Sequence, residues 1–348
     1  AILISAVFLT AHDPLLHLIF GKTDEAVMRA SKTYLIITAW SFPALAAYNS
    51  CAALFRAMNS AKVTMWVSLL MNGINLVGNA VCMFGLHMGV EGVAIPTTVS
   101  RYVAAAVIFA MMFCGEKEIS LRGQVTVRFD GKLIKKILYI AVPNGLENSM
   151  FQLGKILVIS AVSTMGTAAI AANAVANTLA SWNNLPGMAI NLALVSVVSV
   201  CVGAGEYGQA RYYTKKLCRA AVIGISCISA VMFFAVPTLV TFYNLGPEAA
   251  KMSVDVIRFH TVMSMLIWVP SFTLPNTLRA AGDVVWPMSI AIVSMWLFRV
   301  VAAYVFTYVF HFGLLAVWAA MVIDWAVRAV FYVIRYRGHK WERFGQRS

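Results

Sequence analysis

The fold class predicted for this 348-residue sequence is an all-α polytopic membrane protein, a two-lobe bundle of long helices, and three observations predict it. Hydrophobic residues make up 61% of the chain and charged residues 12%, too few to clothe a soluble domain of this length. Apolar runs of about 20 residues, long enough to span a bilayer as a helix, recur from end to end. The 27 Lys and Arg residues gather in alternate polar connections, which is the positive-inside pattern of a multi-pass protein.

The runs place ten helices. AILISAVFLTAHDPLLHL gives 1–18, and TYLIITAWSFPALAAYNSCAALF gives 33–55, closed by Arg56. The span 63–86 lies between Lys62 and the turn HMGVEG, and 90–114 runs up to the polar GEKE. After the basic pair Lys135 and Lys136 comes 137–164, followed by 168–202. Helix 219–243 ends at NLGPE, 256–281 carries two prolines, and HFG separates 285–310 from 314–335. On this register the connections holding Arg56, Lys62, residues 117–136, 211–219, Arg279 and the C-terminal tail share one side. That side collects eighteen of the cationic residues, so it is expected to be cytoplasmic, with the C-terminus inside. The formal charge of +13 thus reports topology, and no nucleic-acid partner is needed to explain it. The six cysteines and six histidines are scattered without ligand spacing, and the cysteines read as small buried hydrophobes.

The polar, basic stretch GEKEISLRGQVTVRFDGK within 115–133 is the seam between two lobes. The expected organisation is an N-lobe over 1–114, an inter-lobe loop over 115–133, a C-lobe over 134–337 and a basic tail over 338–348. The lobes echo each other. Registering LFRAMNSAK (54–62) on TLRAAGDVV (277–285) through Arg56 and Arg279 lays 63–86 on 285–310 and 90–114 on 314–335. Matching halves are the mark of a repeat-built transporter. In that register the first two C-lobe helices have no N-lobe counterpart, so the expectation is a fragment lacking about 90 residues ahead of Ala1.

Ionisable groups inside an apolar helix are costly and by default functional. Glu147 lies 11 residues past Lys136, about 16 Å along a helix and near mid-bilayer. Pro143 loosens the helix one turn earlier, and Asn144, Asn148 and Gln152 surround the acid with polar atoms. Such a carboxylate suits uptake and release of H⁺ or Na⁺, against the plainer role of tying helices together. Lys155, about 12 Å farther along the helix, cannot reach Glu147; it neutralises another acid, lines a cavity or snorkels outward. Asn72, Asn75 and Asn79 form one helical stripe, and Asn173 and Asn177 lie one turn apart, in each case either helix–helix glue or cavity lining. Trp182, Asn183, Asn184, Pro186 and Gly187 predict a break in helix 168–202, and Pro270 and Pro275 predict bends in 256–281. Asp324 and Arg328 are spaced to neutralise each other, and Arg101 and Arg299 read as interhelical anchors. No HExxH, GxSxG or Walker-type GxxxxGK[ST] occurs, so an enzyme or an ATP-driven pump has no support.

The paired LFRAMNSAK and TLRAAGDVVWP, with GVEGVAIPTTVSR, VPNGLENSMFQLG, GTAAIAANAVA and PGMAINLALVSVVSVCVGAGEYGQA, resemble the multidrug and toxic compound extrusion (MATE) transporters. The resemblance runs over essentially the whole chain and implies a V-shaped bundle of twelve helices, of which helices 3–6 and 7–12 are here. It implies a monomeric, multi-pass protein of the cell membrane that extrudes small organic, often cationic, compounds in exchange for H⁺ or Na⁺ without another cofactor. Glu147 matches the family's seventh-helix glutamate, a cation-coupling residue. Trp268 stands where sodium-coupled members have a tenth-helix aspartate, and Asn79 where others have a fifth-helix aspartate. The alternative function is a flippase for lipid-linked sugars or another amphiphile, which a cation-rich cavity would favour; a non-transporting scaffold is a weaker third.

Overall fold

The computed structural model describes residues 1–20, 25–58, 60–114, 130–338 and 340–342, and these are helical apart from short turns. They form two compact units, Ala1–Arg128 and Phe129–Ser348.

In the first unit, α1 (Ile2–Thr10), α2 (His12–Phe20), α3 (Glu25–Ala39), α4 (Phe42–Ala57), α5 (Ala61–Ala80) and α6 (Glu91–Cys114) follow one another, α5 widening into a π-helical turn at Val81–Gly85. Two expected helices are therefore broken. The run 1–18 divides at Ala11, because Pro14 has no N–H for the carbonyl of Thr10 and cannot continue α1. The run 33–55 starts earlier, at Glu25, and divides at Trp40–Ser41, because Pro43 enters the first turn of α4. That break strips carbonyls of their helical partners, and side chains replace them. Ser5 Oγ donates to Ala39 O at 2.9 Å, Thr98 Oγ1 to Ile37 O at 3.0 Å and the Tyr102 hydroxyl to Trp40 O at 2.8 Å. Arg101 donates to Ser41 Oγ at 2.6 Å, so it is the anchor the sequence suggested. Tyr48, Phe55, Val67 and Ile108 are the centre of this unit's apolar core.

The second unit begins with α7 (Gly131–Ser163), whose N-terminal amides at Lys132 and Leu133 donate to the Asp130 carboxylate at 2.9 and 3.3 Å. The helix therefore starts inside the expected inter-lobe loop; residues 115–129 of that loop lie outside the described residues. Then come α8 (Thr167–Gly203), α9 (Tyr207–Thr241) and α10 (Pro247–Met263). A π-helical segment, Ser264–Thr273, joins α10 to α11 (Leu274–Ala280), and a second, Met295–Val301, joins α12 (Val285–Ser294) to α13 (Ala302–Tyr308). The last helix is α14 (Leu314–Arg337). Helix α9 starts twelve residues before the expected 219, its basic first turns being helical too. Of the expected basic tail, Trp341 is fully buried against Tyr207 and Tyr336, while 343–348 lie outside the described residues.

The expected break at 182–187 is not there, since α8 is continuous across Pro186. Packing holds it straight. Asn183 is fully buried, donates to Ser264 Oγ at 2.9 Å and accepts from Ser229 Oγ at 2.8 Å. Gly187 lies so close to the Trp268 ring that a Cβ there would overlap it. The irregular backbone sits instead on the facing element, where Pro270 falls inside the π-helical segment and Pro275 opens α11, as the prolines of 256–281 predicted. Leu179, Ile225, Val236, Ile257 and Trp325 centre the main core of this unit.

Seven helices among the described residues are long and apolar enough to cross a membrane: Ala61–Gly85, Glu91–Phe113, Thr167–Gly203, Tyr207–Thr241, Pro247–Ala280, Val285–Tyr308 and Leu314–Arg337. Large apolar side chains such as Leu76, Phe84, Val231 and Phe234 stay exposed on them, the pattern of helices solvated by lipid. Helix α7 has the length, but Asn144, Glu147, Asn148 and Gln152 dilute its apolar run.

Candidate functional site

Glu147 is not an isolated charge. Arg279 Nη2 donates to both of its carboxylate oxygens, at 2.6 and 2.8 Å, joining α7 to the last turn of α11. Arg279 lies in the last turn of α11, inside the expected helix 256–281; its side chain is about one-fifth exposed, and Nη1 donates to Asn276 Oδ1 at 3.1 Å. A helix-spaced reading could not find the pair, because 132 positions separate the partners. The local signal was LPNTLRA, where Asn276 and Arg279 lie one turn apart.

The pair faces a cavity of about 240 Å³ bounded by α7, α8, the first π-helical segment, α11 and α14. One wall is aromatic: Trp268 stacks on Phe272 with ring centres 5.2 Å apart, and Phe272 meets Trp325 edge-on at 5.4 Å. The rest of the lining mixes Phe151, Met188 and Pro275 with the polar Asn144, Asn148, Asn191, Ser271 and Asn276 beside the ion pair. Asn144 and Asn148 each donate back to the carbonyl four residues earlier, which helps steady α7 after Pro143 removes one amide donor. Arg328 also lines the cavity, but its charge is met from behind. Its Nε and Nη2 donate to Asp324 at 2.7 and 3.0 Å, and Ser294 Oγ adds a 2.6 Å bond to the same carboxylate. This is the neutralising pair read from the i, i+4 spacing. Tyr332 donates to Pro287 O at 3.0 Å, which fixes the floor.

The sequence candidates separate into four groups. Asn144, Glu147, Trp268 and Pro275 converge on this cavity. Lys155, Asn173 and Asn177 line a second, smaller one with Arg299. Gln152 and Asn72 are exposed and line neither. In the first unit Asn75 ties two helices, donating to Thr97 Oγ1 on α6 at 2.9 Å, while Asn79 donates to Asn75 Oδ1 at 3.1 Å within α5. Arg328, Asn191, Asn276 and Phe272 were not singled out as cavity residues, since nothing in a linear pattern says which face of a helix meets which.

The described residues thus build a unit of membrane-length helices around an aromatic, carboxylate-bearing cavity. The family model described as MatE matches residues 1–81 and 143–305. The chain belongs to the MatE family. Members are transporters, not enzymes, and this MatE protein is a multi-pass membrane protein. It is 27% identical over 350 residues to the uncharacterized transporter YisQ of Bacillus subtilis (strain 168), covering 98% of this chain and 75% of that one. It is 24% identical over 349 residues to the probable multidrug resistance protein NorM of Thermotoga maritima (strain MSB8), covering 97% and 74%. Among solved folds it is similar to a MATE crystallised in complex with MaL6, with a TM-score of 0.88 at 18% identity over 100% of this chain and 77% of that one.

Proposed function

We propose that this protein is a secondary active efflux transporter that exchanges small organic, drug-like compounds for H⁺ or Na⁺ by alternating access of its two lobes. The observation that carries the reading is the Glu147–Arg279 pair on the wall of an aromatic cavity in a member of a transporter family. Names of relatives such as "multidrug resistance protein" support the substrate class.

The chemistry needs only one carboxylate with competing partners. In the structure Arg279 satisfies Glu147. A proton, a sodium ion or an organic cation that takes the carboxylate displaces that guanidinium, and two competitors for one negative site cannot hold it together. Trp268 and Phe272 offer π faces to a flat or cationic substrate, and the amides around them orient it. The protein works as a monomer with its C-terminus in the cytoplasm, without nucleic acid or a cofactor beyond the coupling ion. Arg211 near the start of α9 and Glu342 beyond α14 approach to 3.6 Å, which supports a shared side for those two basic segments.

One observation favours the flippase alternative. Lys155, Arg279, Arg299 and Arg328 outnumber Glu147, the one acid among the residues lining the two cavities, a balance suited to an anionic amphiphile. The experiment is transport in proteoliposomes with H⁺ and Na⁺ gradients imposed separately, wild type against Glu147→Gln. Gradient-driven efflux of an organic cation that disappears in Glu147→Gln bears out the antiporter. Ion-independent movement of a fluorescent anionic lipid gives the flippase instead.

A further inference from the structure

The smaller cavity of the second unit holds two cations without a carboxylate between them. Lys155, Val158 and Ile159 of α7, Asn173 and Asn177 of α8, Arg299 of the second π-helical segment and Val317, Trp318 and Met321 of α14 line a pocket of about 50 Å³ that is open on the side of the exposed Lys155, Ile159 and Asn177. Arg299 is 8% exposed, and its Nε has no hydrogen-bond partner among the described residues. Neither Arg299 nor Lys155 is in an ion pair among those residues, while the nearest acid in the sequence of α14, Asp324, is already filled by Arg328 and Ser294. Besides the longer-range attraction of Asp324 for Arg299, one ring faces them: Lys155 Nζ and the Arg299 guanidinium lie 5.0 and 5.4 Å from the centre of Phe151, with Arg328 at 5.6 Å. A ring quadrupole shared among three cations offsets only part of the cost of burying a guanidinium.

We propose that this cavity is an anion subsite, in which Arg299 and Lys155 hold a single small anion or carboxylate group. Of the two wall amides, Asn173 Oδ1 accepts from the Trp318 indole N–H at 3.1 Å, which leaves its Nδ2 as a donor, while Asn177 donates Nδ2 to Asn173 O at 2.7 Å. The donors on Arg299 and Lys155 are charge-assisted ones. The volume admits a halide or one carboxylate and is far below the roughly 300 Å³ at which drug-sized pockets begin. The ligand is therefore a free inorganic anion or the acidic end of a larger molecule.

Binding is read without transport, so the outcome is independent of how the proposed exchange fares. The protein in nanodiscs of uncharged lipid is titrated with chloride, followed by ³⁵Cl line broadening, and with benzoate, followed by saturation-transfer NMR. Bromide-soaked crystals locate the site by anomalous scattering. The expected result is saturable binding, bromide density between Arg299 and Lys155, and affinity at least about tenfold lower in Lys155→Gln, with Arg299→Gln abolishing it. Chloride binding identifies a free anion as sufficient; benzoate binding alone identifies the acidic group of an organic ligand. Should Arg299→Gln fail to fold, Lys155→Gln decides. Absence of saturable binding by both probes, bromide density elsewhere only, or unchanged affinity in folded Lys155→Gln overturns the assignment.

Discussion

Asn183 of α8 donates a 2.9 Å hydrogen bond to Ser264, the first residue of the wide-turned stretch that follows α10. Ser229 of α9 bonds to the same amide, so three helices share one polar knot in a place sealed from solvent. Asn183→Ala leaves two hydroxyls to find partners in an apolar surround, and should cost about 1–3 kcal/mol. Thermal unfolding in detergent checks this. A variant melting with the wild type would mean that the serines satisfy each other, as their 3.2 Å separation allows.

The close approach of Gly187 to Trp268 gives a second expectation. A Cβ there has no room unless the indole moves, and the indole is stacked on Phe272 in the cavity wall. Gly187→Ala should destabilise by about 1–3 kcal/mol and alter substrate affinity together, because overpacking displaces the same ring that lines the cavity. Melting temperature and ligand-dependent tryptophan fluorescence measure the two effects side by side.

For the ion pair, single and double substitutions should not add. Arg279→Gln leaves Glu147 without its guanidinium, and Glu147→Gln leaves the converse, whereas the double variant leaves neither charge stranded. The double variant should therefore melt higher than Arg279→Gln, while all three lose ion-driven efflux. Additive losses of stability would show that the two side chains contribute separately.

Asp324 offers a harsher case. It is fully buried and accepts from Arg328 twice and from Ser294 once. Asp324→Asn uncovers the Arg328 charge and should cost about 3–5 kcal/mol, visible as low yield of monodisperse protein. Arg328→Met with Asp324→Leu should recover much of the loss.

The helical, membrane-embedded class was legible because composition and run length leave few alternatives, and Asp324–Arg328 was legible because one turn of helix dictates it. Helix breaks are less legible, because a proline does not say what will satisfy the backbone around it. At Pro43 the chain breaks, and hydroxyls from α1 and α6 meet the freed carbonyls. At Pro186 it does not, since Asn183 and Gly187 lock the helix to its neighbours. The site was half visible. An acid in a greasy helix announces itself, but its partner 132 positions away is fixed by packing that no local pattern encodes.

The Ser264–Thr273 stretch has a mechanical meaning once the ion pair is placed relative to it. Between Met263 and Leu274 the backbone winds in wide turns and contains a proline, so its internal bonding is poorer than that of the rods on either side. Beyond it stands a stub of seven residues, Leu274–Ala280, and near its far end Arg279 grips α7 through Glu147. The stub is seated by Leu274 and Leu278 in an apolar cluster and by Thr277 against Thr214, and the ion pair is its charged link to α7. Discharging a single carboxylate undoes that link alone, so the stub can change its grip on α7 while its apolar seat holds.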